Sequence, residues 1–72
     1  MDTNTFYIRL KEILRERKMT QRQLAELTGL RPSTISSLCK NQVDRIYLTT
    51  LAIICAKLDL SIDQLLIMQK AD

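Results

Sequence analysis

Residues 20–41, TQRQLAELTGLRPSTISSLCKN, carry the punctuation of two short helices held around a tight turn. Thr20 followed by Gln23 is a capping box: the Thr20 hydroxyl accepts from the third helical N–H, and the Gln23 side chain reaches back to the cap N–H. Two backbone donors left open at a helix start are thereby satisfied. Leu24, Ala25, Leu27 and Thr28 give this helix one apolar side, and Gly29 follows where a helix ends most easily at positive φ. Leu30 and Arg31 bridge to Pro32, whose fixed φ and missing N–H suit the first position of a new helix. On that helix Ile35 and Leu38 face inward, while Ser33, Thr34, Ser36 and Ser37 face outward. The spacing predicts helices over about 20–28 and 32–40.

Working outward, Phe6, Leu10, Ile13 and Leu14 recur at i, i+4, i+7 and i+8, which predicts a first helix from about Thr5 to Arg17. Arg9, Lys11, Glu12, Arg15, Glu16 and Arg17 fill its other faces, where Lys11 and Arg15 can pair with Glu12 or Glu16. Lys18 and Met19 connect to the Thr20 cap, with Met19 in the hydrophobic-staple position. Asn41 suits a left-handed stop to the third helix. The segment 41–48, NQVDRIYL, has no helical period and reads as a loop carrying Arg45 and Tyr47. Tyr47 is expected to close the core beneath that loop, the alternative being to stack at its rim. Thr49 or Thr50 opens a fourth helix through Leu51, Ala52, Ile54, Cys55 and Leu58, which ends at Asp59 and Leu60. Ser61 and Gln64 form a second capping box and open a fifth helix with Ile62, Leu65 and Leu66. Ile67, Met68 and Gln69 either continue that helix or leave it as an edge strand or arm. The expected fold is all-α: one domain over residues 1–72, built as a compact five-helix bundle.

Size and composition narrow the function. A chain of 72 residues is a single small domain, and such domains bury only about 60% of their unfolded surface. With 46% hydrophobic residues but no Trp, one Phe and two Tyr, the core must be built from Leu and Ile. The single Gly and single Pro both fall inside the quoted stretch, which excludes a glycine-rich phosphate loop. Net charge is +3, unevenly placed: residues 1–47 hold nine Lys or Arg against five Asp or Glu, whereas residues 48–72 hold two against three. The basic half contains the helix pair and favours a polyanionic partner. Cys39 and Cys55 stand sixteen positions apart in a chain without histidine, so no zinc site and no cofactor is expected. They read as reduced core thiols, a disulfide between them being the alternative. No general acid and base lie in mutual reach, which argues against an enzyme. The start, MDTNTFYIRLKEIL, has an acidic residue at position 2 and no apolar run long enough for a signal peptide or membrane span, so a cytoplasmic protein is expected.

Three segments in register carry a family resemblance. Thr20-Gln21-x-x-Leu24-Ala25-x-x-Thr28-Gly29, Ser33-Thr34-Ile35-Ser36-x-Leu38 and Leu51-x-x-Ile54-Cys55-x-x-Leu58 resemble the Cro/repressor (XRE) helix-turn-helix transcription regulators. Arg45 to Leu51 is similar to the Arg-Ile-x-Leu-x-Thr-Leu segment of the small subgroup of that family. The resemblance runs from about Ile8 to Leu66. It implies a five-helix bundle whose second and third helices form the DNA-reading unit, with the helix from Pro32 to Lys40 in the major groove. Ser33, Thr34, Ser36 and Ser37 are then the base-reading candidates. Gln21 matches the family position that contacts backbone phosphate, and Arg22, Arg31, Lys40, Asn41 and Arg45 surround the same face as further phosphate-binding candidates. Many family members carry a long polar or basic residue in place of Ser37 and a Ser or Thr cap in place of Arg31, which shifts weight here from bases to phosphates.

The resulting expectation is a regulator of repressor type that binds double-stranded DNA, acting as a homodimer on a palindromic site. The partner surface is expected within Ile62 to Met68 or just beyond, where apolar residues exceed what a fifth helix needs. The alternative is a protein-interaction module, or an antitoxin-like regulator, that keeps this shell but binds a partner protein.

Overall fold

The computed structural model describes residues 4–70, in the order β1 (Asn4–Ile8), α1 (Leu10–Glu16), α2 (Gln21–Thr28), α3 (Pro32–Cys39), α4 (Leu48–Leu58), α5 (Ile62–Leu65) and β2 (Leu66–Lys70). The five expected helices are present, but the fold is not all-α. The strands β1 and β2 pair antiparallel, Phe6 opposite Met68 and Ile8 opposite Leu66. The first helix is correspondingly shorter than expected, since residues 5–8 are strand. Phe6 lies at helical spacing from Leu10 but also at strand spacing from Ile8, and its pairing partner some sixty residues away decides between the two. The tail after α5 takes the edge-strand alternative.

Helix ends follow from local backbone chemistry. Lys18, Asn41 and Asp59 all have φ between 54° and 58°. Each closes a Schellman motif: Met19 N–H reaches Leu14 O at 2.9 Å, Gln42 N–H reaches Ser37 O at 3.0 Å and Leu60 N–H reaches Cys55 O at 2.8 Å. Helix α4 opens at Leu48, ahead of both threonines, with Tyr47 as an extended cap that makes no side-chain bond. At α5 the Ser61 N–H donates to Gln64 Oε1 at 2.9 Å, so that cap forms as expected.

The core is aliphatic. Leu10, Leu24, Ile35, Leu38, Ile54, Leu58 and Leu65 are fully buried, one or two from each helix, and Ile8 adds the inner end of β1. Helix α2 packs on α3 and α4, α1 packs on α3, and α5 rests on β2 and α4. Leu27, expected on the apolar side of α2, is exposed. Two polar ties fix β1 to the bundle. The Tyr7 hydroxyl donates to the Glu12 carboxylate on α1, which holds Glu12 below the ordinary carboxylate pKa with help from Arg9 and Lys11, burial working the other way. At the other tie, Ile8 N–H donates to Asn41 Oδ1 at 2.7 Å and Asn41 Nδ2 donates to Ile8 O at 3.1 Å. One amide thus copies the two hydrogen bonds of a neighbouring strand. Arg9, not Lys11 or Arg15, makes the ion pair on α1, with Glu16 at 3.8 Å.

Candidate nucleic-acid interface

Local bonds set the angle between α2 and α3. Thr20 N–H donates to Gln23 Oε1 at 2.8 Å and Gln23 N–H to Thr20 Oγ1 at 3.0 Å, the reciprocal cap read from the sequence. Gly29 takes φ 76°, a conformation that costs other residues about 1 kcal/mol or more, and its N–H reaches Ala25 O at 2.9 Å. Thr28 contributes a bond that sequence reasoning missed. Its hydroxyl donates to Leu24 O at 2.7 Å and accepts from Leu30 N–H at 3.2 Å, tying the last turn of α2 to the turn that follows. Arg31 is extended, as a residue before proline favours, and α3 starts at Pro32 with no side-chain cap.

Helix α3 buries Ile35, Leu38 and Cys39, a spacing of i, i+3 and i+4 that fixes its orientation. At about 100° per residue, Ser33, Ser37 and Lys40 then lie opposite the core, with Thr34 and Ser36 on the flanks. Ser33 and Lys40 are exposed; Thr34, Ser36 and Ser37 are half-buried. Among the described residues, none of the four hydroxyls takes part in a side-chain hydrogen bond. The outer face is therefore a shallow row of small groups that can each donate or accept.

Two cations, Arg31 and Arg45, share a groove with part of this row. Gln21, Arg22, Arg31, Lys40 and Arg45 are all exposed. Among the described residues the one ion pair is Arg9 with Glu16, which leaves Arg22, Arg31, Lys40 and Arg45 unneutralised. An open groove of about 440 Å³ brings Arg31, Thr34, Ser37 and Arg45 together. Gln21, Arg22, Ser33, Ser36 and Lys40 lie outside its lining. Asn41 stands apart from the other candidates, because both ends of its amide are engaged by Ile8.

Gly29, Leu30, Leu38, Val43 and Ile46 also line the groove, as do Tyr47 and Thr50, two polar residues absent from the sequence-derived set. Tyr47 does not close the core: it is 82% exposed, and Val43 and Ile46 pack against the core in its place. As the residue that caps α4, Tyr47 leaves the loop just before the helix begins. Its neighbour Arg45 is the sequence cue that this segment borders the polar face.

Other chemistry finds little footing. Among the described residues no group of three or more His, Cys, Asp or Glu could hold a metal. Cys39 is buried and Cys55 half-buried; both are free thiols, and burial pushes both pKa values up. No helix among the described residues is long and apolar enough to cross a membrane.

The family model for the Cro/C1-type helix-turn-helix DNA-binding domain matches residues 9–71. Among solved structures, one similar chain is a Bacteroides fragilis protein named for an inferred DNA-binding activity. It is 32% identical, with a TM-score of 0.76, over 88% of this chain and 100% of that one. Another is the transcriptional regulator VanUg, 26% identical with a TM-score of 0.76 over 94% of this chain and 89% of that one. No curated protein matches.

Proposed function

We propose that this chain, which belongs to the Cro/C1-type helix-turn-helix DNA-binding domain family, is a cytoplasmic transcription regulator of repressor type that lays α3 in the major groove of duplex DNA. The observation that carries this reading is the unbonded hydroxyl row of α3, flanked by exposed cations without acidic partners. Ser33, Thr34, Ser36 and Ser37 read base edges. Because a hydroxyl meets several bases equally well, it gives less discrimination than the roughly 1–3 kcal/mol of a bidentate Arg or Gln contact. Arg22, Arg31, Lys40 and Arg45 hold phosphates, as does Gln21 at the first turn of α2, where free N–H groups also favour an anion. Asn41 is left out of that set, since its amide is engaged. A pair of chains reads an inverted repeat whose half-sites lie about 34–36 Å apart.

Selection of bound sequences from random duplex DNA tests the proposal. An inverted repeat should emerge, its preferred bases should change in Ser33→Ala, and log K should fall linearly with log salt. Recovery of no preferred sequence together with salt-independent binding would contradict it. A second reading, a module for a protein partner, draws on Tyr47 and Leu48, each 82% exposed beside the groove. It expects no duplex binding at moderate salt.

A further inference from the structure

We infer that the groove between α3 and the start of α4 binds a small organic anion with an apolar body, of the aromatic carboxylate class, and that this ligand and duplex DNA exclude each other. Exclusion of DNA rests on the DNA-binding reading above. The binding site itself does not depend on it.

The groove carries charge of one sign. Arg31 and Arg45 line it, both exposed, and no Asp or Glu does. Among the described residues neither guanidinium has a carboxylate at ion-pair distance. The neighbouring groove beside β1 shares Val43, Arg45 and Ile46 but adds Asp44, which offsets the cation there. An arginine fork donates two parallel N–H bonds to a carboxylate and also stacks on aromatic rings. The groove without an acid is therefore the one that selects an anion.

Duplex phosphates would account for the arginines but not for the apolar groups between them. Leu30, Val43 and Ile46 pack on the core and are only half-buried, and all three line the groove. A phosphate covers none of that surface, whereas a ligand with an apolar body removes it from water. Tyr47, 82% exposed, adds an aromatic face for a ring to pack on edge-on or offset. Thr34, Ser37 and Thr50 add hydroxyls that can donate to a carboxylate. A volume of about 440 Å³ lies within the ordinary range of small-molecule sites. Because the groove is open and covers one side of a ligand, affinity is low, on the order of 1 mM for a two-ring carboxylate.

Competition with DNA follows from shared residues. Arg31, Thr34, Ser37 and Arg45 line the groove and also belong to the DNA-contact set of the proposed function. A ligand seated there takes up the charge of both arginines and the space that a base edge or phosphate would occupy. The two therefore exclude each other by mass action, and at ten times its Kd the ligand weakens duplex binding about tenfold. Sensing and reading then share one surface, so release of DNA needs no conformational change.

The test titrates naphthoate into the isotope-labelled full chain at constant ionic strength, followed by amide chemical shifts. Shifts should gather at Leu30, Val43, Ile46 and Tyr47 and saturate with a Kd on the order of 1 mM. Naphthamide, which lacks the charge, and inorganic phosphate, which lacks the ring, should each bind about fivefold more weakly or worse. Arg31→Ala and Arg45→Ala, at exposed sites, should keep the helical spectrum and each weaken naphthoate about threefold. Tyr47→Ser should also weaken it, whereas Arg22→Ala, outside the groove, should leave its Kd unchanged while weakening duplex binding. Shifts scattered over other basic residues, naphthamide or phosphate binding as tightly as naphthoate, or an Arg45→Ala protein that binds it like wild type overturns the site. Naphthoate and duplex binding together without competition overturns the exclusion. Groove shifts from naphthoate in a protein that binds no duplex would uphold the site and sink the DNA reading instead, and duplex binding without groove shifts would do the reverse.

Discussion

Asn41 separates a structural role from a DNA-binding one, and three residues at that position are enough to do it. Its amide makes two part-buried hydrogen bonds to Ile8, at 2.7 and 3.1 Å, and its backbone sits at φ 58°. Asn41→Gly keeps the left-handed turn and deletes both bonds. At about 1 kcal/mol per bond the cost is about 2 kcal/mol. Asn41→Ala deletes the same bonds and adds a Cβ in the left-handed region, roughly 1 kcal/mol more, for about 3 kcal/mol. A domain of this length has roughly 4–10 kcal/mol in all, so both effects are large. At roughly 4–8 °C per kcal/mol, Asn41→Gly should lower Tm by about 8–16 °C and Asn41→Ala by more. Urea unfolding followed by circular dichroism would measure the difference, with an unchanged slope confirming that one cooperative transition is compared. Well below its melting temperature, the folded glycine variant should bind duplex DNA with wild-type affinity and salt dependence. A glycine variant within about 0.5 kcal/mol of wild type would refute the strand-mimic role. One of unchanged stability that loses DNA affinity would return Asn41 to the phosphate-binding set.

Three further expectations use other parts of the molecule. Arg31→Ala and Lys40→Ala should each shallow the slope of log K against log salt by about one unit without changing sequence preference, which titrations at several salt concentrations would show. Ile54→Ala, at a fully buried site in α4, should cost about 2–5 kcal/mol in denaturant unfolding, whereas Leu48→Ala at the exposed start of that helix should stay within about 0.5 kcal/mol. Glu12 is held below its ordinary pKa of 4.5 chiefly by the Tyr7 hydroxyl, and a depressed carboxylate adds stability that is present above its unfolded pKa and lost as pH falls through the folded one. Tyr7→Phe should therefore destabilise at neutral pH, with the gap to wild type closing as unfolding is repeated further into acid.

The parts of the chain legible in its sequence are those fixed by near neighbours. Thr20 with Gln23, Gly29 and Pro32 each act over three or four residues, so residue order alone yields the helix pair and the outward turn of Ser33. Asn41 as a helix stop is legible for the same reason. What Asn41 does with its side chain is not, because Ile8 lies 33 positions away. The strand at residues 4–8 is hidden twice over, first by an accidental helical match from Phe6 to Leu10 and then by a partner at the far end of the chain. Tyr47 misleads through size. A large aromatic in a core short of aromatics invites burial, yet Val43 and Ile46 already fill the space under that loop.

In the proposed reading, the border between DNA contact and scaffolding falls between two adjacent residues. Lys40 faces outward at the end of α3, and one left-handed step later Asn41 faces back into the edge of β1. That step satisfies the last carbonyls of α3 through the Leu38 and Ser37 bonds, so the helix cannot lengthen or slide without breaking the tie to Ile8. Two hydrogen bonds thus join the hairpin to the end of α3, beside the aliphatic contact that Ile8 makes in the core. A hydrogen-bonded joint fixes direction where an aliphatic contact tolerates slippage, since its energy falls off steeply with angle.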